Sequence, residues 1–90
     1  MSYRIEVKCQ AIKALAAIPN PHRRRIANAI DGLAQQPRPA GCTKLIGADN
    51  AYRIRVGDYR IVYQILDRVL IVFIIRIAHR KDAAARSPDA

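Results

Sequence analysis

The pattern of hydrophobic and polar positions is clearest in the middle of the chain, over residues 52–63. β-Branched and aromatic residues alternate there with polar residues on both sides of the dipeptide Gly57-Asp58. A two-residue loop between two alternating runs is typical of a β-hairpin with a type I′ or II′ turn. The pattern therefore predicts two antiparallel strands joined at Gly57 and Asp58.

The predicted hairpin has one cationic and one apolar face, because successive side chains of a strand point to opposite faces. Pairing outward from the loop places Arg55 opposite Arg60, with Arg53 on the same face. The other face consists of Tyr52, Ile54, Val56, Tyr59, Ile61 and Tyr63. A like-charge pair across two strands costs up to about 1 kcal/mol. Two interpretations of the cationic face stay open, an anionic ligand and a solvated sheet face.

The N-terminal part of the chain predicts a strand and then a short helix. Residues Tyr3–Lys8 alternate between apolar and polar types, which is typical of a half-buried strand. Apolar residues recur at helical spacing over Cys9–Ile18, and Pro19 cannot continue that helix. The expected buried face of this helix consists of Ile12, Leu15, Ala16 and Ile18.

A second helix is predicted to begin at Asn20 and to end before Pro37. Asn20 is the expected N-cap, and Pro21 suits the first helical position. The apolar stripe of this helix consists of Ile26, Ala29, Ile30, Leu33 and Ala34. Three consecutive arginines, residues 23–25, fan around the helix, so water is their favoured partner and phosphate the alternative.

The remaining segments complete an α+β fold. Residues 37–50 are rich in Pro and Gly and predict a loop that Leu45 fixes to the core. Asp67 and Arg68 form a second turn, and Val69–Ile77 forms a strand that is apolar on both faces. The expected architecture is an N-terminal strand, a two-helix hairpin and an antiparallel β-meander, with one small sheet and the helices on one face.

The domain is expected to span residues 1–82. Residues 83–90 form an Ala-rich polar tail, for which disorder and a short helix are both open. The longest apolar run, Val69–Ile75, has seven residues, far fewer than the roughly 20 that span a bilayer. The N-terminus lacks the apolar core of a signal peptide, so we expect a cytoplasmic protein without a membrane partner.

Charge narrows the possible partners. The 90 residues include 16 Lys and Arg but only 7 Asp and Glu, which gives a net charge of +9. Such an excess indicates nucleic acid, an anionic membrane or an acidic protein as the partner. Cys9 and Cys42 are isolated, and His22 and His79 do not complete a ligand set with them. We therefore expect reduced cysteines, no metal and no cofactor.

Two motifs, taken with the order of the predicted elements, resemble a known family. They are Tyr-Arg-Ile-Arg-Val-Gly-Asp-Tyr-Arg-Ile-Val-Tyr at 52–63 and Ile-x-His-Arg-Lys-Asp at 77–82. Over residues 3–82 the chain resembles the RelE toxins of the RelE/ParE superfamily. The resemblance implies a type II toxin–antitoxin pair, in which the toxin enters the ribosomal A site and cuts mRNA. It also implies a cognate RelB-like antitoxin as the inhibiting partner.

The resemblance implies a set of site residues. Arg53 and Arg55 match two basic residues of the family's second strand, where the best-known members have lysines. Arg60 matches the arginine that holds the scissile phosphate, and Arg80 matches the arginine after the last strand, with His79 before it. The expected catalytic residues are Arg53, Arg55, Arg60, His79 and Arg80. The expected RNA-binding residues are Arg53, Arg55, Arg60, Arg76 and Lys81.

The chemistry assigns different tasks to these side chains. Attack of a ribose 2′-OH on its own phosphate requires proton removal, stabilisation of the phosphorane and help for the leaving group. The guanidinium groups of Arg60 and Arg80 suit the stabilisation of charge. Histidine is the residue type most often used as an acid or base near neutral pH, so His79 is the candidate for that task, and the alternative is that it caps a strand end. The tyrosine that usually follows in the family is absent, because residues 83–85 are alanines.

Two other functions stay open at this point. A RNA-binding module with weak or no hydrolytic activity would explain the absent tyrosine. A ParE-like inhibitor of DNA gyrase would share the fold, although the resemblance implies that such proteins generally lack the full basic set.

Overall fold

The structure is a computed structural model that describes residues 2–47 and 49–80. These residues form, in chain order, β1 (Arg4–Val7), α1 (Cys9–Ala16), α2 (Asn20–Leu33), β2 (Thr43–Lys44), β3 (Ala51–Val56), β4 (Tyr59–Leu66) and β5 (Ile71–His79). The strands make one sheet in the order β1-β5-β4-β3-β2. The predicted α+β architecture is confirmed. The predictions for Lys81 and for the tail 83–90 lie outside the described residues.

The central hairpin has the predicted register. Arg55 lies opposite Arg60, and Ile54 lies opposite Ile61. The positive φ of the loop falls on Gly57, at 62°, and not on Asp58. A positive φ at the first loop residue alone is the pattern of a type II′ turn, which decides between the two predicted turn types.

The sheet differs from a simple meander at both edges. β1 pairs with β5 in parallel. The chain between these two strands, which includes both helices, therefore forms a crossover connection. At the other edge, the predicted loop 37–50 contains the two-residue strand β2, which pairs with β3. The backbone N–H of Leu45 donates to the carbonyl oxygen of Ala51 at 2.9 Å, so this residue fixes the loop through its backbone.

A β-bulge interrupts the pairing of β4 with β5 between Val62 and Tyr63. Tyr63 pairs with Ile74, but Val62 pairs with Arg76, so β5 has one residue more than β4 at this point. The extra residue reverses the alternation of faces along the rest of β5. As a result, Arg76 lies on the face of Val62, away from the helices.

The last strand begins later than predicted. Asp67–Leu70 form the turn, and β5 starts at Ile71, whereas the pattern predicted a start at Val69. Val69 is 60% exposed, and Leu70 has a φ of 55°. Val69 and Leu70 are apolar but lie in the turn, so the hydrophobic pattern predicted the start of the strand two positions too early.

The core lies between the helices and one face of the sheet. The fully or nearly fully buried residues of the sheet include Ile61, Tyr63, Ile65, Val72 and Ile74. From α2, the predicted residues Ile26, Ile30 and Leu33 join them, at 0%, 5% and 1% exposure. The prediction that the helices cover one face of the sheet is confirmed, and the arginine face stays open.

Two of the four residues predicted to form the buried face of α1 are exposed. Ala11 is 0% exposed, whereas Ile12 is 53% exposed and Ala16 is also exposed. Leu15 and Ile18 do pack against the core, as predicted. α1 packs against β5, and its fully buried residue is the small Ala11, whereas hydrophobicity alone ranks isoleucine above alanine. The prediction for Ile12 and Ala16 is therefore wrong.

The start of α2 also differs in detail from the expectation. Asn20 is the first helical residue, and its side chain makes no hydrogen bond that caps the helix. Instead, Asn20 Oδ1 accepts a hydrogen bond from the guanidinium of Arg23 at 3.1 Å.

Neither helix in the described part of the chain is long and apolar enough to cross a membrane.

Candidate nucleic-acid interface

Three of the predicted arginines meet in one cleft on the open face of the sheet. The cleft has a volume of about 290 Å³ and is lined by Gly41, Thr43, Arg53, Arg55 and Arg60. β3 supplies Arg53 and Arg55, β4 supplies Arg60, and the tight turn between these strands sets their register. Thr43 pairs with Arg53 across β2 and β3, which puts its side chain on the same face. We call this site the arginine cleft.

The arginine cleft concentrates positive charge without internal compensation. Arg55 lies directly opposite Arg60, where Cβ atoms are about 4.5–5.5 Å apart. The ion pairs within the described ranges are Arg4–Glu6, Arg38–Asp67 and Arg80–Asp58, and none of them includes a cleft arginine. No carboxylate lines the described cleft. This concentration of positive charge favours an anion as the ligand.

The lining suits the binding of phosphate. A guanidinium presents N–H groups in a planar fork that matches the oxygens of a phosphate and stays protonated at neutral pH. Three such groups around one cleft can hold a phosphodiester and stabilise additional negative charge on it. The lining includes no side chain that ordinarily changes protonation near neutrality. The arginine cleft by itself therefore offers charge stabilisation but no acid–base pair.

Arg76 lies near this site because of the bulge in β5. Its register partner is Val62, and strict alternation from the buried Ile74 would have turned Arg76 toward the core. Arg76 does not line the arginine cleft. It adds a further positive charge to the same open face.

His79 lies on the other face of the sheet. It pairs with Tyr59, and the two rings meet edge to face with centroids 5.1 Å apart. The same tyrosine lies 5.7 Å from the ring of His22 in α2. His79 lines a separate groove with residues of α1, among them Ala14 and Ala17. The structure therefore does not bring His79 together with the arginine cleft.

Arg80 lies at the hairpin loop. Its backbone N–H donates to the carbonyl oxygen of Asp58 at 2.7 Å, and its Nε lies 3.8 Å from Asp58 Oδ1. The side chain is 67% exposed and does not line the arginine cleft. Of the five predicted catalytic residues, Arg53, Arg55 and Arg60 therefore lie together, and His79 and Arg80 do not join them. The predicted RNA-binding residue Lys81 lies outside the described residues.

Two residues of the arginine cleft were missed at the level of sequence. Gly41 and Thr43 belong to the segment 37–50, which was predicted as a loop and in which no functional residue was named. The sequence signal for a strand here was weak, since Thr43 and Leu45 offer only one β-branched and one apolar residue two positions apart.

Within residues 2–47 and 49–80, no three His, Cys, Asp or Glu side chains are grouped to hold a metal ion.

The fold and the arginine cleft together define a small, basic α+β protein with a cationic cleft on the open face of its sheet. The family model of the ParE toxin of type II toxin–antitoxin systems, parDE, matches residues 5–84. The chain therefore belongs to the RelE/ParE superfamily of toxins, and the resemblance noted in the sequence is confirmed.

Relatives support this assignment over nearly the whole chain. The RelE–RelB complex from Pyrococcus horikoshii contains a chain with 32% identity and a TM-score of 0.80, over 97% of this chain and 100% of that one. A Methanocaldococcus jannaschii protein that bears the name toxin RelE1 is 29% identical, over 98% of this chain and 100% of its own length. The mRNA interferase toxin RelE of Escherichia coli is 26% identical, over 90% of this chain and 86% of its own length.

Proposed function

We propose that this protein is the toxin of a type II toxin–antitoxin pair and that it cuts mRNA on the ribosome. The observation that carries the proposal is the convergence of Arg53, Arg55 and Arg60 in one cleft, whose described lining includes no carboxylate. The name of the E. coli relative, mRNA interferase toxin, supports the reaction class.

The arginines have distinct tasks in the proposed reaction. Arg60 holds the scissile phosphate, and Arg55, directly opposite it, stabilises the charge that develops on the phosphorane. Arg53 binds the neighbouring backbone. Because these groups supply no proton transfer, the ribosome must orient the 2′-OH for in-line attack. Free RNA is accordingly a poor substrate.

Arg80 can join the arginine cleft only after a local change. Its contact with Asp58 is long, at 3.8 Å, and both side chains are mostly exposed, at 67% and 60%. Exposed pairs of this kind contribute little to stability, so a phosphate can compete for the guanidinium. For His79, packing against Tyr59 favours the structural interpretation over proton transfer.

The proposed partners follow from the same surface. The relative from P. horikoshii was crystallised as a RelE–RelB complex, which supports a RelB-like antitoxin as the inhibitor of this chain. A net charge of +9 favours an acidic segment of that antitoxin over the arginine face. Ribosomes and mRNA are the targets, and the place of action is the cytoplasm.

Inhibition of DNA gyrase is a second candidate, because the matching family model is that of the ParE toxin. This function would need a protein-binding surface and no cleft for phosphate. Three clustered arginines favour the ribosome-dependent nuclease.

Two assays run in parallel distinguish the candidates. Purified protein is added to cell-free translation and, separately, to a DNA gyrase supercoiling reaction. We expect loss of translation with the wild-type protein and unchanged supercoiling. In both assays Arg4→Ala is the control for net charge, because it removes one positive charge at the edge of the sheet opposite the arginine cleft. Arrested supercoiling with intact translation would reverse the order of the candidates.

A further inference from the structure

One wall of the arginine cleft depends on a weakly held segment. Gly41 and Thr43 form this wall, which we call the cleft wall, and only Thr43 belongs to a strand. β2 has two residues at the edge of the sheet, paired with Arg53 and Tyr52 of β3. An edge strand of this length has too few backbone hydrogen bonds to fix a loop by itself.

Arg38 fixes the beginning of the same loop. Its guanidinium donates to Asp67 through two nitrogens, at 2.9 Å to Oδ2 and 3.4 Å to Oδ1. Its Nε donates to the hydroxyl of Tyr52 at 3.2 Å, and the guanidinium carbon lies 5.2 Å from the centre of that ring. The hydroxyl of Tyr3 donates to Asp67 Oδ1 at 2.7 Å. We call these four residues, Tyr3, Arg38, Tyr52 and Asp67, the clasp.

The clasp joins segments that are far apart in the chain. Tyr3 precedes β1, Arg38 opens the loop after α2, Tyr52 lies in β3 and Asp67 lies in the turn before β5. Tyr52 is the neighbour of Arg53, a residue of the arginine cleft. The clasp therefore connects the loop to the strand that carries the cleft arginines.

A second contact holds the loop next to the clasp. The hydroxyl of the buried Tyr63 donates to the carbonyl oxygen of Pro37 at 2.8 Å. Burial raises the pKa of Tyr63, so its hydroxyl keeps the proton that it donates. The N–H of Cys42 donates to the carbonyl oxygen of Pro39 at 3.0 Å, which closes a tight turn before Thr43. Since two residues separate Arg38 from Gly41, a shift of Arg38 displaces the cleft wall.

The exposure of the clasp argues against a role in the stability of the whole fold. The side chains of Arg38 and Asp67 are 43% and 51% exposed. Surface ion pairs contribute little to global stability unless their geometry is ideal, and the bond from Arg38 to Asp67 Oδ1 is long, at 3.4 Å. The hydrogen bonds of Arg38 instead join one loop to β3 and to the turn before β5.

We propose that Arg38 and Asp67 are positioning residues, which hold the cleft wall against the strand of Arg53 so that the arginine cleft keeps the width that one phosphodiester needs. The proposal rests on the proposed function of the cleft. It assigns no contact between these two residues and RNA. Their effect passes through Gly41, Thr43 and the β3 backbone.

Amide hydrogen exchange tests the structural half of the proposal without any activity. The Leu45 amide, bonded to Ala51 across β2 and β3, reports on the cleft wall, and the Ile65 amide in β4, bonded to Asn50, reports on the rest of the sheet. In Arg38→Ala and Asp67→Ala we expect Leu45 to exchange on the order of tenfold faster and Ile65 to exchange as in the wild type. Arg4→Ala, which breaks another exposed ion pair at the other edge of the sheet, should change neither. Unchanged exchange at Leu45 would overturn the proposal.

Single-turnover cleavage of mRNA on saturating ribosomes tests the functional half. A displaced wall should slow the cleavage step about tenfold or more in each single variant, with apparent affinity for ribosomes unchanged. The double variant should be no slower than the singles, because both remove one interaction. The double variant in which the two residues are exchanged, Arg38→Asp with Asp67→Arg, should recover part of the cleavage rate that the single variants lose.

The outcomes separate this proposal from the proposed function. Faster exchange at Leu45 with unchanged cleavage, or additive losses in the double variant, would overturn the positioning role alone. Absence of cleavage by the wild-type protein would overturn the proposed function, and the exchange measurement would still decide whether the clasp holds the wall.

Discussion

At the scale of single residues, the chemistry of this protein is set by which face each side chain takes. Arg53, Arg55 and Arg60 share the open face, whereas the ring of His79 lies against Tyr59 on the face that the helices cover. The cleft arginines and the His79 ring therefore lie on opposite sides of the sheet. A mechanism built on this geometry depends on the arginines and takes its proton transfers from outside the cleft.

His79→Gln tests that separation. General acid–base catalysis is typically worth about 10²- to 10⁴-fold, so loss of a true acid or base would be conspicuous. We expect the variant to cut ribosome-bound mRNA within about threefold of the wild-type rate. Single-turnover cleavage at several pH values measures this. A loss of about a hundredfold, together with a changed pH profile, would place His79 in the reaction.

The clasp carboxylate predicts a dependence of stability on pH. Hydrogen bonds from Arg38 and Tyr3 lower the pKa of Asp67 from its ordinary value of 3.8. A carboxylate with a lowered folded pKa contributes stability above the unfolded pKa and loses that contribution as pH falls through the folded pKa. The wild-type protein should therefore exceed Asp67→Asn in melting temperature above about pH 4, by a small margin because the pair is exposed.

Thermal unfolding from about pH 6 down to pH 2 measures the effect. The advantage of the wild-type protein over Asp67→Asn should shrink as the solution becomes more acidic. Glu6→Gln removes a carboxylate from another exposed ion pair and controls for the change in charge. An advantage that grows on acidification would contradict the assigned direction of the pKa change.

At the scale of elements, α1 shows how a small residue can take the core position. Ala11 is fully buried, while Ile12 is 53% exposed. We expect Ile12→Lys to change the free energy of unfolding by no more than about 0.5 kcal/mol, as surface substitutions usually do. Ala11→Leu should cost about 1–3 kcal/mol, because extra methylene groups must force α1 away from β5.

Denaturant unfolding of both variants checks the orientation of α1. Equal stability of Ala11→Leu and the wild-type protein would contradict it, as would a large loss in Ile12→Lys. The wild-type chain and Ile12→Ala serve as references, since the latter removes apolar surface without adding charge.

The central hairpin shows what the sequence could predict. A Gly-Asp loop between two alternating runs determines register locally, so the Arg55–Arg60 pair and the shared face of Arg53 followed from the pattern alone. The stripe Ile26, Ile30 and Leu33 of α2 was equally clear, because three large residues at helical spacing leave one choice of face.

Other features depend on long-range pairing that no local pattern contains. The bulge at Val62 and Tyr63 turns Arg76 to the open face, and strict alternation would have turned it inward. The parallel pairing of β1 with β5 and the short strand β2 likewise arise from contacts between distant segments. The clasp residue Arg38 gave no signal, since an arginine in a Pro-rich loop is typical of solvent-exposed positions.

At the scale of the whole molecule, charge should govern the encounter with the target. With +9 net charge and an open arginine face, binding to ribosomes should weaken steeply as salt rises. Each phosphate contact adds about 0.7–0.9 to the slope of log K against log salt concentration. Arg60→Ala should reduce that slope by about one contact, and Arg4→Ala should reduce it less. A flat dependence would indicate a protein target.

If the arginine cleft makes this chain a nuclease for mRNA on the ribosome, cleavage must depend on Arg60. This dependence is measured by mapping mRNA 5′ ends on programmed ribosomes after addition of the wild-type protein or Arg60→Ala, with circular dichroism to verify that both are folded. We expect new 5′ ends within A-site codons for the wild-type protein and a loss of about a hundredfold or more in their yield for Arg60→Ala. Intact mRNA with the wild-type protein, or equal cleavage by a folded Arg60→Ala, would contradict a nuclease function of the cleft.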